Sequence, residues 1–160
     1  MSVSFLRRVI LAPFLAALIA ASSPLAALAQ TVTVHKTPWC GCCTKWVDHL
    51  RDHGFDVIVR EKEDLAPVRA ELGVPDDLMS CHTGEVDGYA LEGHVPADQV
   101  KRLLAERPEA LGLSVPGMPM GSPGMETPYP PDTYDVVVFT TDGAETYATY
   151  TGGNMVSLAD

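Results

Sequence analysis

The sequence predicts a mixed α/β fold of the thioredoxin-like class. Short segments rich in β-branched residues, first residues 31–35 and then residues 56–60, alternate with segments whose apolar residues recur at helical spacing. Along the chain the predicted elements follow the order β-α-β-α-β-β-α, which is the thioredoxin order. A C-terminal Gly/Pro/Met-rich loop over residues 112–131 and an extra β-hairpin over residues 134–151 complete the predicted domain.

The first predicted helix covers residues 42–53 and follows the first strand after a short loop. Trp46, Val47 and Leu50 recur at helical spacing, and Gly54 ends the helix. The loop before it therefore lies at a strand-to-helix junction.

The second predicted helix begins after an N-cap at Asp64 and runs through Leu72. Pro67 falls in its first turn, where proline is tolerated, and Gly73 supplies the stop signal. A turn follows at residues 74–77.

Two short strands are predicted next, over residues 80–86 and 88–92. They are joined near Asp87-Gly88, a dipeptide typical of hairpin turns. Residues 97–107 then show apolar residues on one helical face, which predicts the third helix.

The predicted loop over residues 112–131 is longer than most loops in compact domains. Such length usually indicates function or disorder. The hairpin after it pairs residues 134–140 with residues 145–151 around a turn at Asp142-Gly143.

The N-terminal segment has the pattern of an export signal. Arg7 and Arg8 precede an apolar stretch over residues 9–21, and residues 27–29 have the small-x-small pattern of a cleavage site. We therefore expect cleavage after Ala29, a periplasmic location and a single domain over residues 30–160. A retained membrane anchor is the alternative, but prolines interrupt the span of about 20 apolar residues that an anchor needs.

The chain is acidic, with a formal net charge of −10. Residues 1–29 contain two arginines and no acidic residue, so the remainder carries −12. This charge repels phosphate backbones and anionic lipid surfaces and attracts soluble cations. We expect no nucleic-acid partner, and no membrane contact once the signal is removed.

Four cysteines carry the clearest chemical signal. Cys40, Cys42 and Cys43 fall within four residues, and Cys81 lies at the start of the third predicted strand. In the predicted topology this strand runs antiparallel to the first, so its start lies beside the end of the first strand. Strand direction alone therefore brings the four thiols to one site, and soft thiolates select Cu(I), Zn(II) or iron–sulfur clusters.

Two other interpretations of the cysteines stay open. Cys40 and Cys43 have the C-x-x-C spacing of a thiol–disulfide oxidoreductase, at a helix N-terminus that stabilises thiolate. Cys42 argues against a pure dithiol enzyme, because a third thiol diverts disulfide exchange. Structural disulfides are the third interpretation, although such disulfides usually join distant segments.

Histidines and methionines add a second, weaker signal. Each of His82 and His94 could be a metal ligand or could hydrogen-bond to one. The thioethers of the loop methionines could reach a soft ion or could instead pack as an apolar flap. These auxiliary candidates are His82, His94, Met118, Met120 and Met125.

Several motifs together carry a family resemblance. They are Thr37-Pro-Trp-Cys-Gly-Cys-Cys43 with Trp46-Val-Asp-His-Leu50, Ser80-Cys-His-Thr83, Val86-Asp-Gly-Tyr89, Glu92-Gly-His-Val-Pro-Ala97 and Gly117-Met-Pro-Met-Gly-Ser-Pro-Gly-Met125. In these motifs the chain resembles the CopG-like family of exported metal-binding proteins. The resemblance implies a thioredoxin-like fold, a periplasmic setting and a part in copper resistance. It also implies copper held by cysteine thiolates in a site that could be polynuclear.

The resulting prediction is a periplasmic protein that holds Cu(I) through Cys40, Cys42, Cys43 and Cys81. It would serve copper tolerance by sequestration, by transfer to other periplasmic copper carriers, or by thiol-linked redox change. A thiol–disulfide oxidoreductase that uses Cys40 and Cys43 is the alternative.

Overall fold

Eight β-strands form one continuous mixed sheet in the computed structural model, which describes residues 29–159. The strands are β1 (Thr31–Lys36), β2 (Asp56–Glu61), β3 (His82–Val86), β4 (Tyr89–Glu92), β5 (Gly112–Ser114), β6 (Thr133–Phe139), β7 (Ala144–Thr151) and β8 (Asn154–Leu158). The α-helices are α1 (Gly41–Asp52), α2 (Ala66–Leu72) and α3 (Ala97–Glu106), and a 3-10 turn at Asp76–Leu78 precedes β3.

The strand order across the sheet is β2-β1-β3-β4-β5-β6-β7-β8. β1 is parallel to β2 and antiparallel to β3, and β4 is parallel to β5. Lys36 at the end of β1 pairs with His82 at the start of β3. The loop after β1 and the segment before β3 therefore lie side by side at the same end of these two strands.

The main hydrophobic core joins the sheet to α1 and α3. Val34 of β1, Trp46 of α1 and Leu103 of α3 are fully buried in this core. Leu91 of β4 belongs to it, whereas the adjacent Ala90 belongs to a second, smaller cluster. Since successive side chains of a strand point to opposite faces, the two clusters lie on opposite faces of the sheet.

The predicted order of elements is present from β1 to the end of α3. Gly73 ends α2 in the left-handed conformation, with φ at 69°, as the sequence predicts. Asp87 and Gly88 form the predicted turn, with φ values of 50° and 87°.

Three sequence predictions need correction. Leu65 rather than Asp64 is the N-cap of α2, although Oδ1 of Asp64 accepts a hydrogen bond from the Ala66 amide. The first residues of the predicted loop form β5, a strand too short to show a period of two. The sequence does not predict β8, because all five of its residues are exposed at the sheet edge and carry no amphipathic alternation.

Residues 1–28 of the predicted export signal lie outside the described residues. Within residues 29–159, no helix is both long and apolar enough to cross a membrane.

Candidate metal centre

Four cysteine sulfur atoms converge at one end of the central strands, where β1 ends and β3 begins. The Sγ atoms of Cys40, Cys42, Cys43 and Cys81 all lie within 4.8 Å of one another. Three of these cysteines come from the first turn of α1 or its N-cap, and the fourth comes from the segment that enters β3. The antiparallel pairing of β1 with β3 thus joins residues about forty positions apart in the chain.

The N-terminus of α1 holds the first three cysteines. Cys40 is the N-cap residue, and its Sγ accepts a hydrogen bond from the Cys43 amide at 3.3 Å. Cys40 and Cys43 form a disulfide, and Cys42 and Cys81 are free. The structural-disulfide interpretation requires two bridges between distant segments. The structure instead has one disulfide between residues three positions apart, beside two free thiols.

Cys81 contacts two of the other three sulfur atoms. Its Sγ lies 3.5 Å from Cys43 Sγ and 4.0 Å from Cys42 Sγ. Cys42 Sγ in turn lies 3.4 Å from Cys40 Sγ. Both free thiols therefore touch the disulfide.

Two histidines form a second group around the same thiol. Nδ1 of His82 lies 3.2 Å from Cys81 Sγ, and Nε2 of His94 lies 3.1 Å from it. These two rings and Cys81 offer three ligand atoms within 4.8 Å of one another. Cys81 thus belongs to both groups of potential ligands.

The hydrogen bonds of His94 determine which ring nitrogen is free to bind. Nδ1 lies 2.8 Å from the Pro123 carbonyl oxygen, which can only accept, so Nδ1 carries the proton. Nε2 therefore directs its lone pair toward Cys81. A histidine that ligates a metal is commonly held in this way, with its other nitrogen donating to a carbonyl.

His82 is buried and incompletely satisfied. Its ring is fully enclosed and packs against Trp46, with ring centroids 4.3 Å apart. Nε2 of His82 has no hydrogen-bond partner among the described residues. Burial, followed by the nearby His94, holds the pKa of His82 well below its usual range, so the ring is the neutral form that binds metals.

Burial also keeps the proton on Cys81. Desolvation, and then the neighbouring Cys42, raise the pKa of Cys81 to about 12. In the absence of a cation this thiol stays protonated at neutral pH. A bound metal would replace the proton and supply the positive charge that the enclosed thiolate lacks.

The Gly/Pro/Met-rich loop closes against the cluster at two points. Near its start, the Gly117 carbonyl accepts a hydrogen bond from the Ser80 hydroxyl, one residue before Cys81. Further along, Gly124 packs so closely on α1 that a Cβ there would lie 2.8 Å from the carbonyl oxygen of Cys42 and from the backbone nitrogen of Trp46. Both contacts hold the loop against the two segments that carry the cysteines.

The methionines of this loop differ in exposure. Met118 is 54% exposed, Met120 is 37% exposed and Met125 is half-buried. Three contacts that join the loop to the site use backbone atoms, those of Gly117, Pro123 and Gly124.

Two groups at the site were missed by sequence reasoning. One is the Pro123 carbonyl, which orients His94. The other is Glu92, a fully buried carboxylate beside the segment that carries Cys81. In the sequence, the position of Glu92 two residues before His94 is the one signal that could have linked Glu92 to the site. The burial of Glu92 depends on tertiary packing, which that signal does not show.

Comparisons with known proteins give a matching family model and matching solved structures. The family model described as a protein of unknown function, DUF411, matches residues 78–125, which include Cys81, His94 and most of the loop. No curated protein matches the chain at a significant level.

Two solved structures of the copper resistance protein CopG are similar to this chain. Form 2 is 45% identical with a TM-score of 0.73, and the match covers 76% of this chain and 98% of that one. Form 1 has the same identity and TM-score, and the match covers 78% of this chain and 99% of that one.

Proposed function

This chain belongs to the CopG family of copper resistance proteins, and we propose that it binds Cu(I) through Cys40, Cys42, Cys43 and Cys81. Copper is the cargo or substrate of the site in this proposal. The protein would serve copper tolerance by sequestration, by transfer to other copper carriers, or by thiol-linked redox change.

The convergence of four sulfur atoms within 4.8 Å carries this proposal. The contacts of 3.4, 3.5 and 4.0 Å between non-bonded sulfurs are close to the separation of about 3.8 Å between thiolates on one tetrahedral ion. Thiolates are soft ligands and favour Cu(I) over hard cations. The donor set therefore fits the ion.

All four sulfurs become available only after the Cys40–Cys43 disulfide opens. Its reduction takes up two electrons and two protons and gives two thiols. In the reverse direction, closure of the two thiolates into the disulfide releases two electrons, which is sufficient to reduce two Cu(II) ions to Cu(I). The same pair could therefore couple copper binding to copper redox change.

The second ligand group supports a site for more than one ion. Cys81 is shared between the other cysteines and the pair of His82 and His94, so its sulfur is placed to bridge. Nδ1 of His82, 3.2 Å from Cys81 Sγ, is the ring nitrogen that could donate to such a second ion. Met118, Met120 and Met125 remain proposed auxiliary ligands from the loop that covers the site.

A thioredoxin-like class and a periplasmic location complete the proposal. Support for the class comes from the order β2-β1-β3-β4 with β3 antiparallel to β1. Support for the location comes from the export pattern of residues 1–29. Mass measurement of the protein recovered from the periplasm would test both the location and cleavage after Ala29; recovery of the uncleaved chain from the membrane would contradict them.

Anaerobic titration of the reduced protein with Cu(I) tests the binding claim. We expect thiolate-to-copper charge-transfer absorption, and a bound-copper count that falls in Cys81→Ser. Ser157→Ala, in the exposed edge strand, is the matched control and should bind as the wild type. Absence of the absorption, or an unchanged count in Cys81→Ser, would contradict the proposal.

A thiol–disulfide oxidoreductase is the second candidate function. The disulfide at the N-terminus of α1, where the helix dipole stabilises a thiolate, favours it. In that case Cys40 attacks a substrate disulfide and Cys43 resolves the mixed disulfide. Insulin reduction that survives in Cys81→Ser, without bound copper, would favour this enzyme.

A further inference from the structure

We propose that Glu92 is a positioning residue for Cys81, an inference that rests on the proposed function of the sulfur cluster. The side chain of Glu92 is fully buried, and within residues 29–159 its hydrogen bonds go to nitrogen and oxygen donors rather than to sulfur. It acts on the backbone segment that carries Cys81.

The carboxylate of Glu92 binds on both sides of that cysteine. Oε1 accepts a hydrogen bond from the Ser80 amide at 2.6 Å, and Oε2 accepts one from the Thr83 hydroxyl at 2.6 Å. Ser80 precedes Cys81 and Thr83 lies two residues after it. The two oxygens thus span the residue whose thiol belongs to both ligand groups.

Arg69 of α2 completes the arrangement. Its Nε and Nη2 lie 3.0 and 2.9 Å from Oε1 of Glu92, and its Nη2 also donates to the Ser80 carbonyl at 2.5 Å. The amide and the carbonyl of Ser80 are therefore both held by one buried ion pair. A buried charge is stable only with such compensation, and charge-assisted hydrogen bonds are the stronger kind.

The next two residues extend the same contact. Gly93 has φ at 73°, and a Cβ there would lie 2.5 Å from the Ser80 hydroxyl oxygen, so a larger side chain would displace Ser80. His94 then directs Nε2 to the Cys81 thiol. Glu92 thus holds the backbone on both sides of Cys81. Gly93 allows Ser80 to approach closely, and His94 contacts the Cys81 sulfur.

This arrangement predicts a specific role rather than general stability. The hydrogen bonds of Glu92 converge on Ser80 and Thr83, so their loss should loosen Cys81 and leave Cys42, on α1, in place. The test compares Glu92→Gln with Glu106→Gln, which weakens the Arg102–Glu106 pair at the C-terminal end of α3, where the Glu106 side chain is 47% exposed. Thr83→Val is a milder variant, because it keeps the buried ion pair and removes one hydrogen bond.

The first measurement uses metal-free protein with the disulfide intact, in which Cys42 and Cys81 are the free thiols. Alkylation of each is followed by mass spectrometry. We expect Cys81 in Glu92→Gln to react about fivefold faster or more, with a smaller rise in Thr83→Val and no change at Cys42. Equal acceleration at both thiols, or none at Cys81, would overturn the proposal.

The second measurement is Cu(I) affinity by competition with a chromophoric chelator. Groups that orient metal ligands typically contribute about tenfold or more, so we expect a loss of that size in Glu92→Gln and none in Glu106→Gln. The loss of Cu(I) affinity should vanish when Glu92→Gln is made in the Cys81→Ser variant, because Glu92 affects copper binding only by positioning Cys81. A loss that persists there would indicate a general structural role and overturn the inference.

The two measurements separate the two proposals. If the wild type binds no Cu(I), the proposed function fails, yet the alkylation rates still decide whether Glu92 positions Cys81. If the wild type binds copper and both readouts are unchanged in the variants, the role of Glu92 fails alone.

Discussion

Nε2 of His94 lies 3.1 Å from Sγ of Cys81, although the two residues are thirteen positions apart in the chain. The Pro123 carbonyl holds the other ring nitrogen, so the imidazole is fixed by the loop that covers the site. One histidine therefore links the β3 segment, the residues before α3 and the Gly/Pro/Met-rich loop. This relationship makes His94 the best placed of the auxiliary candidates.

Replacement of His94 should weaken copper binding. We expect His94→Gln to lower Cu(I) affinity by about tenfold or more, because the amide offers no imidazole lone pair beside Cys81. His53→Gln, at the exposed C-terminal end of α1, is the control. Chelator competition measures both, and equal affinities would remove His94 from the site.

Copper uptake should depend on reduction. The Cys40–Cys43 disulfide occupies two of the four sulfurs, so thiol titration of denatured, unreduced protein should find two thiols, and four after reduction. We expect full Cu(I) loading only in the reduced protein. Equal loading of oxidised and reduced protein, measured by metal analysis after gel filtration, would show that Cys40 and Cys43 are not ligands.

The stability of the metal-free protein should fall at high pH through Cys81. Its pKa is raised to about 12 in the folded protein, whereas the ordinary value is 9.0. Between these values the unfolded chain releases the proton and the folded chain keeps it, so the stabilisation is complete below pH 9 and decreases toward pH 12.

Urea unfolding at pH 7.5 and pH 10 measures this effect, with Cys81→Ser as the reference that cannot ionise. The loss of unfolding free energy should be larger in the wild type than in Cys81→Ser. The same loss in both proteins would assign the pH dependence to other groups.

The contact of the loop with α1 should depend on Gly124. This residue has φ at 87°, and a Cβ would meet the backbone of Cys42 and Trp46 at 2.8 Å. We expect Gly124→Ala to cost about 1–3 kcal/mol of unfolding free energy, because both the conformation and the space oppose a side chain. Limited proteolysis should also cut the loop faster, as Pro123 leaves His94.

Gly153→Ala is the matched control for this change, since a Cβ at this residue would have nothing within 4 Å and its φ is not in the left-handed region. Its unfolding free energy should stay within about 0.5 kcal/mol of the wild type. If Gly124→Ala were equally neutral, the loop would not be packed on α1 as described.

Much of the fold could be predicted because it depends on local signals. Helical spacing identified α1, glycine identified the end of α2, and Asp87-Gly88 identified the turn between β3 and β4. β5 and β8 escaped prediction because one is three residues long and the other is exposed throughout. Their strand character comes from pairing with neighbours rather than from their own pattern.

The amino-acid sequence by itself determined the chemistry available to this protein: four soft thiols, candidate histidine and methionine ligands, an acidic chain and a C-x-C-C group at a helix start. The predicted strand directions also brought Cys81 toward the other three thiols, but only the tertiary structure decided the individual contacts. It placed Cys81 between Cys43 and His94, paired Cys40 with Cys43, and buried Glu92 against Arg69. The physical reason is that side-chain type and spacing act locally, whereas contacts across tens of residues depend on strand direction and on burial, which only the folded sheet provides.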